Sequence, residues 1–348
     1  MATEMQFEDK PLLRARLLHS IAQARWTLGL HDEGIPTARQ AVAIRTERLG
    51  PEHPDTLASV ATLAEMKARR QQLEEALALY GEVLEARRTA LGAEHPQTLA
   101  SQADVAGVLA DLRRTEEALE LIQSTLAVLR RVAGTASYEY LKSRTLEATM
   151  LMDLGRFDEA LPICKEAIDG LEALYGRDHP DVLLAVHNAG ACLMMTGRME
   201  EAIPYATRTA EAFRRLKGDR HYQTLSAIGN LAMLLNQVGR PEEGLVYAQR
   251  EYDAVMALYP PTSDKYVLAT NHIAVLYVAL GRFEEAEPLA LEAAELAAAH
   301  LGPDHRYTSG TVRNMVKLYD RWHEADPDGG HDARAATWRA RLPAPPSR

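Results

Sequence analysis

Apolar residues recur along almost the whole chain at the spacing of an amphipathic α-helix, in two alternating kinds of segment. The first kind is HPDTLASVATLAEMKAR, whose apolar positions include Leu57, Val60, Leu63 and Ala64. The second kind begins at an acidic pair, Glu284-Glu285 in one copy, and carries apolar residues at i, i+3, i+4 and i+7: Ala286, Leu289, Ala290 and Ala293. This alternation predicts paired helices, each with one face buried against a neighbour.

Three landmarks repeat with a period of 42 residues. The first is a loop of the type Leu-Gly-Pro-Glu-His-Pro, with its glycine at Gly50, Gly92, Gly134, Gly176, Gly218 and Gly302 and Pro260 in the remaining place. The second is a tight turn of the type Gly-Arg-Phe-x-Glu-Ala, beginning at Gly155, Gly197, Gly239 and Gly281, with degenerate copies from Gly29, Gln71 and Arg113. The third is a Leu-Ala pair or its equivalent, such as Leu63-Ala64 and Leu231-Ala232. A fixed period predicts stacked helix–turn–helix units.

The punctuation of each unit predicts where its helices begin and end. Pro54 suits a first helical position, because the N–H that proline lacks would be unpaired there. The acidic residue that follows, Asp55, favours the positive end of the helix. Four of the tight turns place glycine at the end of the first helix, where a positive φ is needed.

This pattern resembles the tetratricopeptide repeat. The 42-residue period and the Leu-Gly-x-x-His-Pro-x-Thr loop are similar to the subtype of kinesin light chains and of many bacterial proteins. The resemblance implies an all-α fold, a right-handed superhelical solenoid of about eight antiparallel helix pairs. It also implies that the first helix of each pair (the A helix) lines a concave groove that binds a protein or peptide.

The repeats assign the chain to four segments. Residues 1–11 form a lead-in, 12–322 the solenoid, 323–342 a capping segment and 343–348 a disordered tail. Two of the repeats begin at loops that lack both the histidine and the proline of His-Pro, VAGTASYEY and LYPPTSDKY. These loops indicate either a local change in superhelical geometry or simple sequence drift.

Composition narrows the class of protein. The formal charge of −10 disfavours nucleic acid and anionic membranes as partners. The chain has no apolar run of the ~18 residues that span a bilayer, and MATEMQFEDK lacks a signal-peptide core, so we expect a cytoplasmic protein. We expect no cofactor, since aromatic residues are only 6%, and no catalytic residue, since the familiar nucleotide and hydrolase motifs are missing.

Five histidines share one position in the repeated loop: His53, His95, His179, His221 and His305. They lie one repeat apart, too far to share a metal ion, so we interpret them as structural. The two cysteines, Cys164 and Cys192, lie in separate helical segments and predict neither a disulfide nor a metal site.

Candidate binding residues are those that vary between repeats and face the groove. In the resembling family these positions adjoin the Leu-Ala pair, and here they are polar from the fifth repeat onward: His187, Asn188, Asn230, Asn271, His272, Arg313, Asn314 and Lys317. Asparagine offers both a donor and an acceptor to an extended backbone. The alternative is a solvated polar face with no ligand.

Methionines form a second candidate feature. Met194 and Met195 precede a Gly-Arg turn, as Met152 does, and Met233 lies two residues past its Leu-Ala pair. Flexible thioethers suit an adaptable binding surface, although ordinary core filling accounts for them equally simply.

The favoured function is a non-enzymatic scaffold or adaptor that holds a protein or peptide in its groove. Two alternatives are a regulatory protein that senses a peptide and a peptide-modifying enzyme on the same scaffold. Homodimerisation through the end repeats is a separate alternative. The family's carboxylate clamp is not reproduced, and only the Arg313, Asn314 and Lys317 corner resembles part of one.

Overall fold

The computed structural model describes residues 9–28, 30–302 and 305–342, and every regular element within them is helical. The α-helices are α1 (Pro11–Thr27), α2 (His31–Leu49), α3 (Pro54–Arg69), α4 (Leu73–Leu91), α5 (Pro96–Asp111), α6 (Thr115–Val132), α7 (Tyr138–Asp153), α8 (Phe157–Tyr175), α9 (Pro180–Met195), α10 (Met199–Lys217), α11 (Tyr222–Gln237), α12 (Pro241–Leu258), α13 (Asp264–Ala279), α14 (Phe283–Leu296), α15 (Arg306–Ala325) and α16 (His331–Arg339). A π-helical turn, Ala297–Leu301, extends α14. The predicted tail, 343–348, and most of the lead-in lie outside the described residues.

Odd-numbered helices are the A helices and even-numbered helices the B helices of eight pairs, so the all-α prediction is confirmed. The chain forms two compact units, residues 1–176 and 177–348, with four pairs in each. In the first unit, Leu63 and Met66 of α3 pack against Ala22 of α1 and Ala38 of α2. Small alanines at the helix contacts let neighbouring helices approach closely.

The second unit ends in α16, which packs on the last A helix. Trp338 is buried in the same apolar cluster as Met315 of α15. His331, the first residue of α16, stacks on Trp322 with ring centroids 4.2 Å apart. This short helix lies within the segment predicted as a cap and covers apolar surface of α15.

The repeated histidines cap the A helices that follow them. In His53, Nδ1 accepts a hydrogen bond from the backbone N–H of Asp55 at 3.1 Å. The other four accept in the same way at 3.2–3.3 Å: His95, His179, His221 and His305. An accepting side chain at this position satisfies one of the unpaired N–H groups of the first turn. The structural interpretation of these histidines is therefore confirmed.

The two loops without the histidine keep the same chemistry with serine. The hydroxyl of Ser137 accepts from the N–H of Tyr140, and that of Ser263 accepts from the N–H of Lys265. Their helices, α7 and α13, begin in the common register as a result. The sequence change replaces one cap by another.

We predict that the cap at His221 makes stability depend on pH. Nδ1 accepts a hydrogen bond only in neutral imidazole, and burial together with Lys217 lowers the pKa of His221. The unfolded chain therefore takes up the proton more readily, so this contribution is present above pH ~6.5 and is lost as the pH falls through it. His221→Ala should cost about 1 kcal/mol at pH 7.5 and less at pH 5.5 in urea unfolding.

The matched control is His221→Ser, which keeps a capping acceptor that does not titrate in this range. It should retain stability at pH 7.5 and lose less of it than the wild type at pH 5.5. An equal loss in both proteins would show that His221 contributes nothing to the pH dependence.

The tight turns require a left-handed residue at the end of the A helix. Glycine supplies it in four turns with φ of 72–78°: Gly155, Gly197, Gly239 and Gly281. The degenerate turns place Gln71 at φ 60° and Arg113 at φ 63°. Residues with a Cβ pay a steric penalty in this region.

We predict that Gln71→Gly and Arg113→Gly each stabilise the chain. Relief of the steric penalty should exceed the added backbone entropy of the unfolded state and give a net gain of about 0.5–1 kcal/mol in thermal or urea unfolding. Gln72→Gly is the control, because Gln72 has a φ of −88° and glycine gains nothing there. Equal effects at positions 71 and 72 would contradict the prediction.

The arginine and glutamate of the same turns pair with each other. Arg156 Nε and Nη2 donate to the two carboxylate oxygens of Glu159, both at 2.7 Å. Four other turns repeat the pair: Arg114 with Glu117, Arg198 with Glu201, Arg240 with Glu243 and Arg282 with Glu285. These residues shape the turn and are not candidates for binding.

Candidate functional site

The groove register, the position just before the Leu-Ala pair, differs between the two units. In the first unit it carries, on successive A helices, Ser20, Thr62, Asp104 and Leu146. Burial raises the pKa of the Asp104 carboxyl, and the positive charges of Lys142 and Arg87 offset only part of this rise. Burial and the nearby Asp104 raise the pKa of Glu65 as well. The amide-bearing positions, by contrast, belong to the second unit.

In the second unit, the four residues of this register have different surroundings. Asn230 of α11 is exposed and Asn314 of α15 is partly exposed. Asn188 of α9 and His272 of α13 are buried. Only the first two present their side chains at the surface, because the others are covered by the packing of neighbouring helices.

A pocket of about 210 Å³ lies between α9, α10 and α11. It brings together three of the predicted residues, namely His187, Met194 and Asn230. Its walls also include aromatic residues that sequence reasoning missed: Tyr205, Phe213 and Tyr222. Two of these lie on the B helix α10, whereas the groove positions predicted from the repeat all lie on A helices. The pocket combines apolar walls with an exposed amide and an exposed imidazole.

A second, larger pocket of about 570 Å³ lies beside α13 and α15. Asn314 and Lys317 line it together with Val275, Val278 and Arg321. Asn314 Nδ2 donates to Asn271 Oδ1 at 2.9 Å, so these two predicted asparagines pair across neighbouring repeats. Arg313 and Lys317 are exposed four residues apart on one face of α15.

His272 has a buried partner that the sequence did not indicate. Its Nδ1 lies 2.8 Å from Glu251 Oε2, and both side chains are buried. A Cβ on Gly229 would come within 2.4–2.6 Å of the Glu251 carboxyl group, so glycine provides the space for this pair. His272 therefore serves the packing of α11, α12 and α13 in this structure instead of facing a ligand as predicted.

The predicted methionines divide into two groups. Met194 and Met195 are exposed, and Met194 lines the pocket between α9 and α11. Met233 is partly buried and packs against an apolar cluster that includes Leu276. Core filling accounts for Met233, whereas Met194 remains a candidate contact.

Among the described residues, His, Cys, Asp and Glu side chains form no group of three or more that could hold a metal ion. Cys164 and Cys192 are both buried, and neither takes part in a disulfide. The helices of the described residues are too short or too polar to cross a bilayer.

Helix pairs that follow one another in tandem place this chain in the class of helical-repeat proteins. Tetratricopeptide repeat models match residues 56–131 and 182–255 in one form and 14–55, 148–181 and 268–307 in another. The chain belongs to the tetratricopeptide repeat family. No curated protein matches it.

Several solved structures of other proteins are similar to this chain. A protein of Pyrococcus horikoshii, a Signal Transduction ATPase with Numerous Domains with a tetratricopeptide repeat sensor, is 14% identical, with a TM-score of 0.67 over 94% of this chain and 47% of that one. A Rap protein in complex with Competence and Sporulation Factor is 13% identical, with a TM-score of 0.50 over 95% of each chain. Kinesin light chain-like repeats of Podosopora anserina are 26% identical over 59% of this chain and 96% of that one, with a TM-score of 0.46.

Proposed function

We propose that this chain is a non-enzymatic scaffold that binds an extended peptide segment of a partner protein on the A helices of its second unit. The observation that carries the proposal is the pocket between α9 and α11. There, the exposed amide of Asn230 stands beside apolar and aromatic walls.

The chemistry of this pocket suits a peptide. An asparagine amide can donate a hydrogen bond to an extended peptide backbone and accept one from it. These hydrogen bonds do not depend on the side chains of the ligand. Aromatic side chains and Met194 can enclose one apolar side chain of the ligand. Fixed helices lose little entropy when the ligand binds, which favours affinity.

The other predicted contacts complete the proposed surface. Asn271, Arg313, Asn314 and Lys317 extend it along α13 and α15, where their polar and cationic groups would hold a second part of the peptide. We place the scaffold in the cytoplasm, in keeping with two buried cysteines that remain reduced thiols.

A peptide selected from a displayed random library against the full chain tests the proposal by fluorescence anisotropy. Asn230→Ala should weaken binding about tenfold, which corresponds to the loss of ~1.4 kcal/mol in hydrogen bonding. Ser226→Trp should weaken it further, because Ser226 is exposed in the pocket and an indole fills the space.

The matched control is Val246→Ala on the B helix α12, an exposed residue of the same unit. It should bind the peptide as the wild type does. Wild-type affinity in both pocket variants would overturn the proposal.

A peptide sensor is the second candidate, favoured by the likeness to a protein with a tetratricopeptide repeat sensor and to a Rap protein in complex with a named factor. A sensor changes conformation when it binds. Small-angle scattering with the selected peptide should then show a smaller radius of gyration, whereas a rigid scaffold keeps its radius.

A further inference from the structure

An apolar surface on α1 lies open at the start of the first unit. Leu17 and Ile21 are 38% and 43% exposed. Leu13 and Ala24 are exposed as well and extend the same stripe, because residues three and four apart share one side of a helix. We call Leu13, Leu17, Ile21 and Ala24 the α1 face.

In the next repeat, most of the residues that correspond to the α1 face are buried. The residues 42 positions after Leu17, Ile21 and Ala24 are Ser59, Leu63 and Met66. They are only 0%, 5% and 0% exposed. The two repeats that follow also bury the counterparts of Leu17 and Ala24: Ser101, Val108, Ser143 and Met150.

In the second repeat the cover is the preceding helix pair. Leu63 and Met66 pack against Ala38 of the B helix α2, and Ser59 Oγ accepts a hydrogen bond from Arg45 of the same helix at 2.8 Å. The α1 face therefore has the shape of a surface on which one more helix can pack. Leu17 occupies the position of Ser59, which accepts a hydrogen bond from an arginine. A helix that packs on α1 must instead place an apolar side chain against Leu17.

Two arginines indicate the charge and the direction of that helix. Arg14 is the counterpart of Thr56, whose hydroxyl donates to the carbonyl of Gly50 at the C-terminal end of α2, at 2.9 Å. A helix that packs on α1 as α2 packs on α3 brings its C-terminal end to Arg14 and to the exposed Arg16. Cations favour the negative end of a helix and acidic side chains there.

We infer that the α1 face binds an amphipathic helix of another polypeptide, apolar along one stripe and acidic in its C-terminal half. The helix continues the packing of the repeat and lies as α2 lies on α3. This surface belongs to the first unit and is independent of the peptide site proposed in the second.

A second copy of the chain fits the α1 face poorly. Its own α1 has no acidic residue between Pro11 and Thr27, so two copies of the face would bring arginines to arginines. The exposed positions of α16, at the other end of the described chain, are small or polar: Asp332, Ala333, Arg334, Ala336, Thr337 and Arg339. Neither of these helices offers an apolar stripe with acidic residues.

Two helices of this chain provide matched probes for the full-length protein. A labelled peptide of residues 157–176, with Ser in place of Cys164, carries five acidic residues and one lysine and has no basic residue in its last turn. A peptide of residues 115–134 is also a B helix, but it ends in Arg130 and Arg131. The first should bind in fluorescence anisotropy, and the second should bind at least about tenfold more weakly.

Variants of the full chain assign the binding to the α1 face. Ile21→Glu and Leu17→Glu should each abolish binding of the 157–176 peptide, and Arg14→Glu should weaken it about tenfold. Both apolar residues are exposed, so the variants should keep the wild-type circular dichroism. Asn230→Ala should have no effect, which separates this inference from the proposed peptide site.

Several results would overturn the inference. They are equal binding of the two peptides, binding that survives Ile21→Glu, and binding that appears only after residues 1–8 are removed. A dimer in sedimentation velocity that Ile21→Glu dissociates would show that a second copy occupies the face. Binding to vesicles of anionic phospholipid through Leu17 and Ile21 would assign the face to a membrane instead.

Discussion

Glu251→Ala is expected to destabilise the second unit by about 3 kcal/mol. Glu251 and His272 are both buried and lie 2.8 Å apart. Removing the carboxyl group leaves the imidazole without its buried partner and opens a cavity between α11 and α12. Both changes lower the free energy of unfolding.

The double variant tests whether the two side chains act as a pair. Glu251→Ala with His272→Ala should cost less than the sum of the two single variants, by about 1–3 kcal/mol, in urea unfolding. Additive losses would mean that the pair contributes nothing beyond its separate packing. Glu243→Ala on the exposed start of α12 serves as the control and should leave the free energy of unfolding almost unchanged, because an exposed ion pair contributes little.

Gly244→Ala is expected to cost about 2 kcal/mol, although comparison of the repeats suggests the opposite. The corresponding residues of the neighbouring repeats are Ala202 and Ala286, both buried. A Cβ on Gly244 would lie 2.7 Å from the backbone carbonyl oxygen of Ala232. Backbone cannot move aside as the end of a side chain can, so α11 and α12 would have to separate.

Gly107→Ala is the matched control in another helix. A Cβ there would meet nothing within 4 Å, and alanine has the higher helix propensity, so a gain of up to ~1 kcal/mol is expected. Thermal unfolding of both variants gives the comparison. Stabilisation by Gly244→Ala would show that the two helices have room for a methyl group.

The sequence predicts the helices well because its signals are local and recur in every repeat. Pro54 and its counterparts mark helix starts, and the glycine turns mark helix ends, so the eight pairs follow from the period. The position of Ser137 in the cap of α7 was not foreseen, since that loop lacks the His-Pro landmark. A different side chain performs the same task there.

The candidate site was predictable only in part. In the resembling family, the positions beside the Leu-Ala pair face the groove, and this register predicts Asn230. Met194 is predicted from its place before a Gly-Arg turn. The register does not tell what a neighbouring helix places above such a position. Glu251 buries His272, and Phe213 of α10 forms a pocket wall, because of packing between helices that the periodic pattern does not encode.

Binding of a peptide on the A helices of the second unit can be followed at a methionine that lines the pocket. The experiment is methyl NMR of the full chain labelled at methionine, with the library-selected peptide as titrant. The Met194 methyl signal should shift, while the signals of Met256 on the B helix α12 and of the buried Met66 in the first unit stay in place. A shift of Met256 with Met194 unchanged would contradict this prediction.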